Sequence, residues 1–185
     1  MDGGKQTRAP SKAIVEKNMD GIVATVQGMA ADFTFLQEID AGPSTHAYGI
    51  EEAGRLRTET QLDSAHALNY KCAFVPYPIP PIGRVNTGLM TLSTAPITSA
   101  ERIALPSPFK WPVSVANLKR CLMPVYIDLE GTDAQLVLVN LHLEAYDDGE
   151  GKAAQTAALT SFLEQEYAKG NYCLLYTSPS PRDTR

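Results

Sequence analysis

Two apolar runs end in side chains that can do chemistry. Phe33-Thr34-Phe35-Leu36 leads through Gln37 to Glu38, and Leu136-Val137-Leu138-Val139 leads to Asn140, Leu141 and His142. A carboxylate is a hard oxygen ligand for a divalent cation and is costly to bury without a partner. An imidazole moves protons near neutral pH, and an amide can hold a ligand or a neighbouring loop. Each residue also has a plainer role. Glu38 can face solvent or cap a turn, and His142 can bond a nearby carbonyl while Asn140 caps a sheet edge. Two polar clusters at the carboxyl ends of buried strands favour a shared site, because ligands of α/β sheets gather beyond such ends.

The elements that position these residues follow from periodicity. Val15, Met19, Ile22, Val26 and Met29 recur every three or four residues, which predicts a helix over 11–29 with Ser11 as its cap. Residues 33–36 are strand formers, apolar on both faces, so this strand is central. Leu56, Leu62 and Leu68 stand among charges and predict a helix over 52–68. "KCAFVPY" reads as a short strand and "PIPPIGR" as a loop. "NTGLMTLS" is a strand with which "ITSAERIAL" is expected to pair, and "PSPFKWPVSVANLK" is an irregular excursion. Residues 121–129 and 135–143 form a hairpin across "EGTD". On the second of these strands Leu136, Leu138, Asn140 and His142 share one face, while the other is apolar throughout. Residues 153–168 form a helix, and "GNYCLL" begins one more strand. Helices alternating with buried strands give an α/β fold.

Composition narrows the function. The chain has 185 residues, enough for one domain with a substantial core. A net charge of −5 argues against a non-specific nucleic-acid clamp, which needs surplus cations. Three cysteines without zinc-ligand spacing fit a reducing compartment. A cytoplasmic location is slightly favoured, and secretion stays open. No apolar run is long enough for a transmembrane helix. His46 and His66 match no motif and are expected at the surface. Arg120, just before a strand, is a candidate phosphate contact, with plain surface charge as the alternative.

"DFTFLQEID", "NTGLMTLS" and "LVLVNLHL", in that order and followed by a helix, resemble the endonuclease/exonuclease/phosphatase superfamily. The resemblance covers nearly all of residues 1–172. It implies an incomplete four-layer sandwich of two mixed β-sheets flanked by helices. It implies that Glu38 binds a catalytic Mg²⁺ or Mn²⁺, that His142 acts near the scissile phosphate as acid or clamp, and that Asn140 orients its strand's end. "YDDGEG" becomes a helix-entry loop rather than a second metal site. The implied activity is metal-dependent hydrolysis of a phosphodiester or phosphomonoester, with nucleic acid, a phospholipid headgroup or a small phosphate ester as substrate and no obligate protein partner. A non-catalytic module that grips a phosphorylated ligand or a protein is the alternative.

The family pattern also includes segments that do not match here. A strand carrying an Asn is expected before the first helix, so Met1 is expected to be internal to a longer frame. After "GNY" the family continues into "GGDFN" and a terminal Asp–His strand. Here "CLLYTSPSPRD" stands instead, and residues 173–185 are expected to be a non-native tail derived from a sequencing adaptor. One carboxylate without the water-activating pair is a poor Mg²⁺ site, so this polypeptide as written is expected to have negligible activity. "PYPIPPIGRVN" and the Trp111-containing excursion are the expected selectivity loops, because loops on rigid scaffolds carry function.

Overall fold

The computed structural model describes residues 8–77, 79–107, 119–143 and 149–177. Most of the Pro106–Lys119 excursion, residues 144–148 of the helix-entry loop and the tail from residue 178 lie outside the described residues.

Helix α1 spans Lys12–Met29, and the Ser11 hydroxyl accepts the Ile14 amide at 3.3 Å. Its inner stripe is Val15, Met19, Val23 and Val26. Ile22 and Met29, expected on that stripe, are exposed. Spacings of four, four and three put Val23 inward in place of Ile22. Strand β1 is Phe33–Asp40 and helix α2 is Glu52–Thr60. The helix expected to run to residue 68 stops at Gln61, which adopts a left-handed conformation (φ 56°). Strand β2 takes over at Asp63–Val75 and pairs antiparallel with β3, Gly83–Ser93. The ladder overrides the local charge spacing, and "KCAFV" is the far end of this long strand rather than a separate one.

β3 lies between β1 and β2, so both of its edges are taken. For that reason "ITSAERIAL" does not pair with it. Its two short pieces, β4 (Ser99–Ala100) and β5 (Ile103–Ala104), pair with β6 (Cys121–Asp128) of a second sheet. β6 pairs antiparallel with β7 (Gln135–Leu141), and β7 pairs parallel with β8 (Tyr172–Thr177) after helix α3 (Glu150–Ala168) crosses over. The second sheet is mixed, as expected. The first is antiparallel throughout its described strands.

Three apolar clusters define four layers. Met19, Val23 and Val26 of α1 and Leu56 of α2 pack on Ile39, Met90 and Leu92 of the first sheet. Ala67 and Leu89 meet Met123, Val125, Ile127 and Leu138 between the sheets. Val137, Val139 and Leu141 pack against Leu159 and Phe162 of α3 on the far side. Strand alternation divides β7 between the last two clusters. The fold is thus an α/β sandwich in the order helices, sheet, sheet, helix.

The α3–β8 turn is fixed by buried Glu166, which accepts Lys169 Nζ at 2.6 Å and Asn171 Nδ2 at 2.7 Å. Asn171 Oδ1 in turn accepts the Gln135 amide at 2.8 Å, tying that turn to the start of β7. β8 is an outer strand, and Leu174, Leu175 and Tyr176 are exposed on it. Phe35 of the first sheet stacks on Tyr176, with ring centroids 5.5 Å apart.

Gly88, in the middle of β3, has no room for a side chain against the main chain of β2. A Cβ there would overlap the main-chain oxygen of Ala67. Gly88→Ala is therefore expected to destabilise the fold by about 3 kcal/mol, read as a lower urea midpoint.

Candidate functional site

The candidate site begins with an irregularity in β1. Gln37 stands opposite Leu89 and Ile39 opposite Gly88, so Glu38 is the extra residue of a β-bulge. Its φ of 59° is left-handed. A bulge breaks the in–out alternation and re-aims one side chain. Ile39 returns to the core while the Glu38 side chain stays 55% exposed. β2 has its own register shift at the same level, between Leu68 and Tyr70. The residue it passes over, Asn69, is buried and its Oδ1 accepts the Cys121 thiol at 3.0 Å. Burial raises the pKa of that thiol to about 11, so Cys121 stays protonated there.

Across the sandwich, His142 follows the last residue of β7. Its Nδ1 lies 4.0 Å from Glu38 Oε1, and its side chain is 21% exposed. Two side chains fix this meeting. Gln37 Nε2 donates to the carbonyl of Leu141 at 2.5 Å. Asn140 Nδ2 donates to the carbonyls of Leu36 at 3.2 Å and Met90 at 3.0 Å, with Thr91 Oγ1 at 3.4 Å. Three acceptors around one nitrogen leave the amide a single sensible orientation. The Asn140 side chain thus faces the gap between the sheets, fully buried.

Arg120 is buried and donates through Nη1 to the carbonyl of His142 at 3.1 Å. It is not a plain surface charge, and it reaches the site through the main chain of His142. His46 and His66, expected at the surface, are both partly buried. His46 is drawn in by buried Asp40, whose Oδ2 stands 2.9 Å from Nε2. The amide of Asp40 donates to Glu52 Oε2 at 3.1 Å, so a second carboxylate sits behind the pair. The hydrogen bond to Asp40 raises the pKa of His46 against the opposing effect of burial, and burial raises that of Glu52. His66 lacks such a partner, and burial lowers its pKa.

Glu38, His142 and His46 line one cavity of about 370 Å³. Asn69, Tyr70, Thr87 and Gly88 complete its polar end, and Val75, Ile82 and Val85 form an apolar wall. Burial raises the Tyr70 phenol to about 12, so it remains a neutral donor. The sequence pointed to Glu38, Asn140 and His142, and the fold brings these three ends together. It gave no sign of His46, Asp40 or the staple at Gln37. The one cue available was a lone histidine in a Gly- and Pro-containing loop just after an acidic strand end.

Two outcomes are expected. Asn140→Ala leaves three buried acceptors without their donor and costs about 2 kcal/mol, read by urea denaturation. The His46–Asp40 pair stabilises the fold fully below the imidazole's ordinary value of 6.5, and that contribution fades as the pH rises through the raised value. Wild type should therefore lose stability relative to His46→Gln as the pH rises from below 6.5 through the raised value, measured as the difference in urea midpoints.

No family model matches the chain, and no curated protein matches its sequence. Solved structures match its architecture. An endonuclease/exonuclease/phosphatase from Beutenbergia cavernae DSM 12333 aligns with a TM-score of 0.57 at 22% identity, over 77% of this chain and 38% of that one. A functionally unknown conserved protein from Enterococcus faecalis V583 gives 0.62 at 13% identity, over 93% and 63%. The human Nocturnin catalytic domain with a bound sulfate anion gives 0.56 at 14% identity, over 81% and 51%. The chain spans between 38% and 63% of the length of these three structures.

Proposed function

We propose that this chain, which carries the endonuclease/exonuclease/phosphatase fold, belongs to a protein that hydrolyses a phosphodiester or phosphomonoester with the help of Mg²⁺ or Mn²⁺. The observation that carries this reading is the bulged Glu38 carboxylate 4.0 Å from the His142 imidazole, both facing one cavity.

The donor set fits such an ion. Glu38 offers a half-exposed carboxylate, and Thr87 Oγ1 is a buried oxygen on the same cavity wall with no hydrogen-bond partner among the described residues. Among the described residues no three His, Cys, Asp or Glu side chains converge as a metal cage. One carboxylate and a hydroxyl suit an ion that keeps waters and takes oxygens from its substrate, not a closed zinc site. Glu38 would hold the ion, which would neutralise charge on the phosphoester as it reacts.

The chain's own residues do the rest. His142 is close enough to Glu38 to meet the same phosphate, where it would hold a phosphoryl oxygen or donate a proton to the leaving oxygen. Asn140 and Gln37 fix where β7 ends and hence where the imidazole stands. Arg120 acts on that imidazole from below, through its carbonyl, as a positioning residue. A cavity of about 370 Å³ suits a small phosphoester or a headgroup, and the net charge of −5 makes long duplex DNA a less natural ligand.

The test is Mn²⁺ titration of the full chain, followed by paramagnetic broadening of the His142 imidazole signals. Glu38→Gln should weaken binding by about tenfold or more, with His142 no longer broadened. Equal binding by wild type and variant, or broadening that spares His142, would overturn the assignment. This readout does not depend on turnover.

A further inference from the structure

The most exposed apolar side chains of the first sheet stand together on the β2–β3 hairpin. Phe74 is 59% exposed, Tyr77 78% and Ile79 92%. Large apolar side chains left exposed within so short a stretch suit a contact surface. The same hairpin supplies Tyr70, Val75, Ile82 and Val85 to the cavity that holds Glu38 and His142. One element therefore joins a greasy tip to the candidate site.

Its charge is unlike that of the whole chain. The protein is acidic, yet no Asp or Glu occurs between Asp63 and Glu101. Beyond Asp63 at its start, the two charged residues along the hairpin, Lys71 and Arg84, are both cations and both exposed. Arg8 adds a third, its guanidinium donating to the carbonyl of Pro81 at 3.1 Å. The base of the hairpin is anchored, with Thr45 and Arg84 exchanging main-chain and side-chain hydrogen bonds at 2.8 Å.

We propose that this hairpin docks on an anionic lipid surface and so presents the cavity to phosphoesters lying in that surface. The docking stands on the hairpin alone, while the choice of a lipid phosphoester as substrate rests on the phosphoesterase reading above. Aromatic and aliphatic side chains enter the headgroup region, and flanking cations pair with acidic lipids. Two other occupants fit less well. A single-stranded nucleic acid would use Phe74 and Tyr77 for stacking, but Ile79, the most exposed of the three, offers no stacking face. A second copy of the chain would bring like charges against one another.

The experiment is co-sedimentation of the full chain with vesicles of phosphatidylcholine, with and without phosphatidylserine, at low and high salt. Wild type should bind the mixed vesicles, bind pure phosphatidylcholine more weakly and release as salt rises. Ile79→Asp and the pair Lys71→Glu with Arg84→Glu should each lower binding by about tenfold or more. All three positions are exposed, and circular dichroism checks that each variant folds. The charge-reversed pair leaves the apolar tip intact, so the two variants test independent halves of the idea. No binding by wild type, or binding by either variant equal to that of wild type, would overturn it. So would preferential binding of an oligothymidylate that Ile79→Asp abolishes, or a dimer in light scattering that the same change dissolves. Glu38→Ala separates docking from catalysis: vesicle binding that survives it while Mn²⁺ binding does not upholds docking, and vesicle binding that it abolishes overturns docking at the hairpin.

Discussion

The site depends on two amides that reach across the gap between the sheets. Gln37 holds the carbonyl before His142, and Asn140 holds the carbonyls of Leu36 and Met90. Apolar packing brings the sheets together but is non-directional, so it cannot set which strand end meets which. Hydrogen bonds in a dry interior can, because each broken one leaves a buried polar group unmatched. The two amides sit one residue from Glu38 and two from His142. They convert two strand ends from separate layers into one constellation.

The surrounding charges fall into place around that constraint. His142 is held from its main chain by Arg120. His46 is held from its ring by Asp40, with Glu52 beyond. The cavity is therefore bordered by a carboxylate and two imidazoles, each with a defined support. Fixed supports of this kind hold charged side chains in place before any ligand arrives.

Much of this was legible in the sequence. The apolar alternation of β7 predicted which face Asn140 and His142 would share, and the apolar run of β1 predicted a strand that ends near an acid. The central place expected for that strand belongs to β3 instead, and β1 stands at the edge of the described three-stranded sheet, half-buried along most of its length. The layers did not follow from these periods, which gave only an α/β fold; the four-layer order was implied by the family resemblance. The bulge was not legible, because Phe33–Asp40 reads as one uninterrupted strand and the extra residue shows only against β3. The end of α2 was not legible because what stops it is the pairing of Asp63 with Ser93, some thirty residues downstream, not a local signal. Arg120 shows the same limit at the scale of one side chain. Its charge and its place before a strand were plain, but whether it faced solvent or lay under His142 depends on a neighbour 22 residues away. His46 sits in a loop without periodicity, so only its return to Asp40 in space gives it meaning.

The bulge at Glu38 separates two demands that usually conflict. The other residues of β1 stand in register with β3, and Phe33, Phe35, Leu36 and Ile39 among them pack into a core. The extra residue does neither, since the ladder skips it and the flanking strands keep their register around it. Its identity can be exchanged for another short polar group with the layers untouched. The scaffold is thus free to trade its acidic anchor for a different chemistry while the architecture stays as it is.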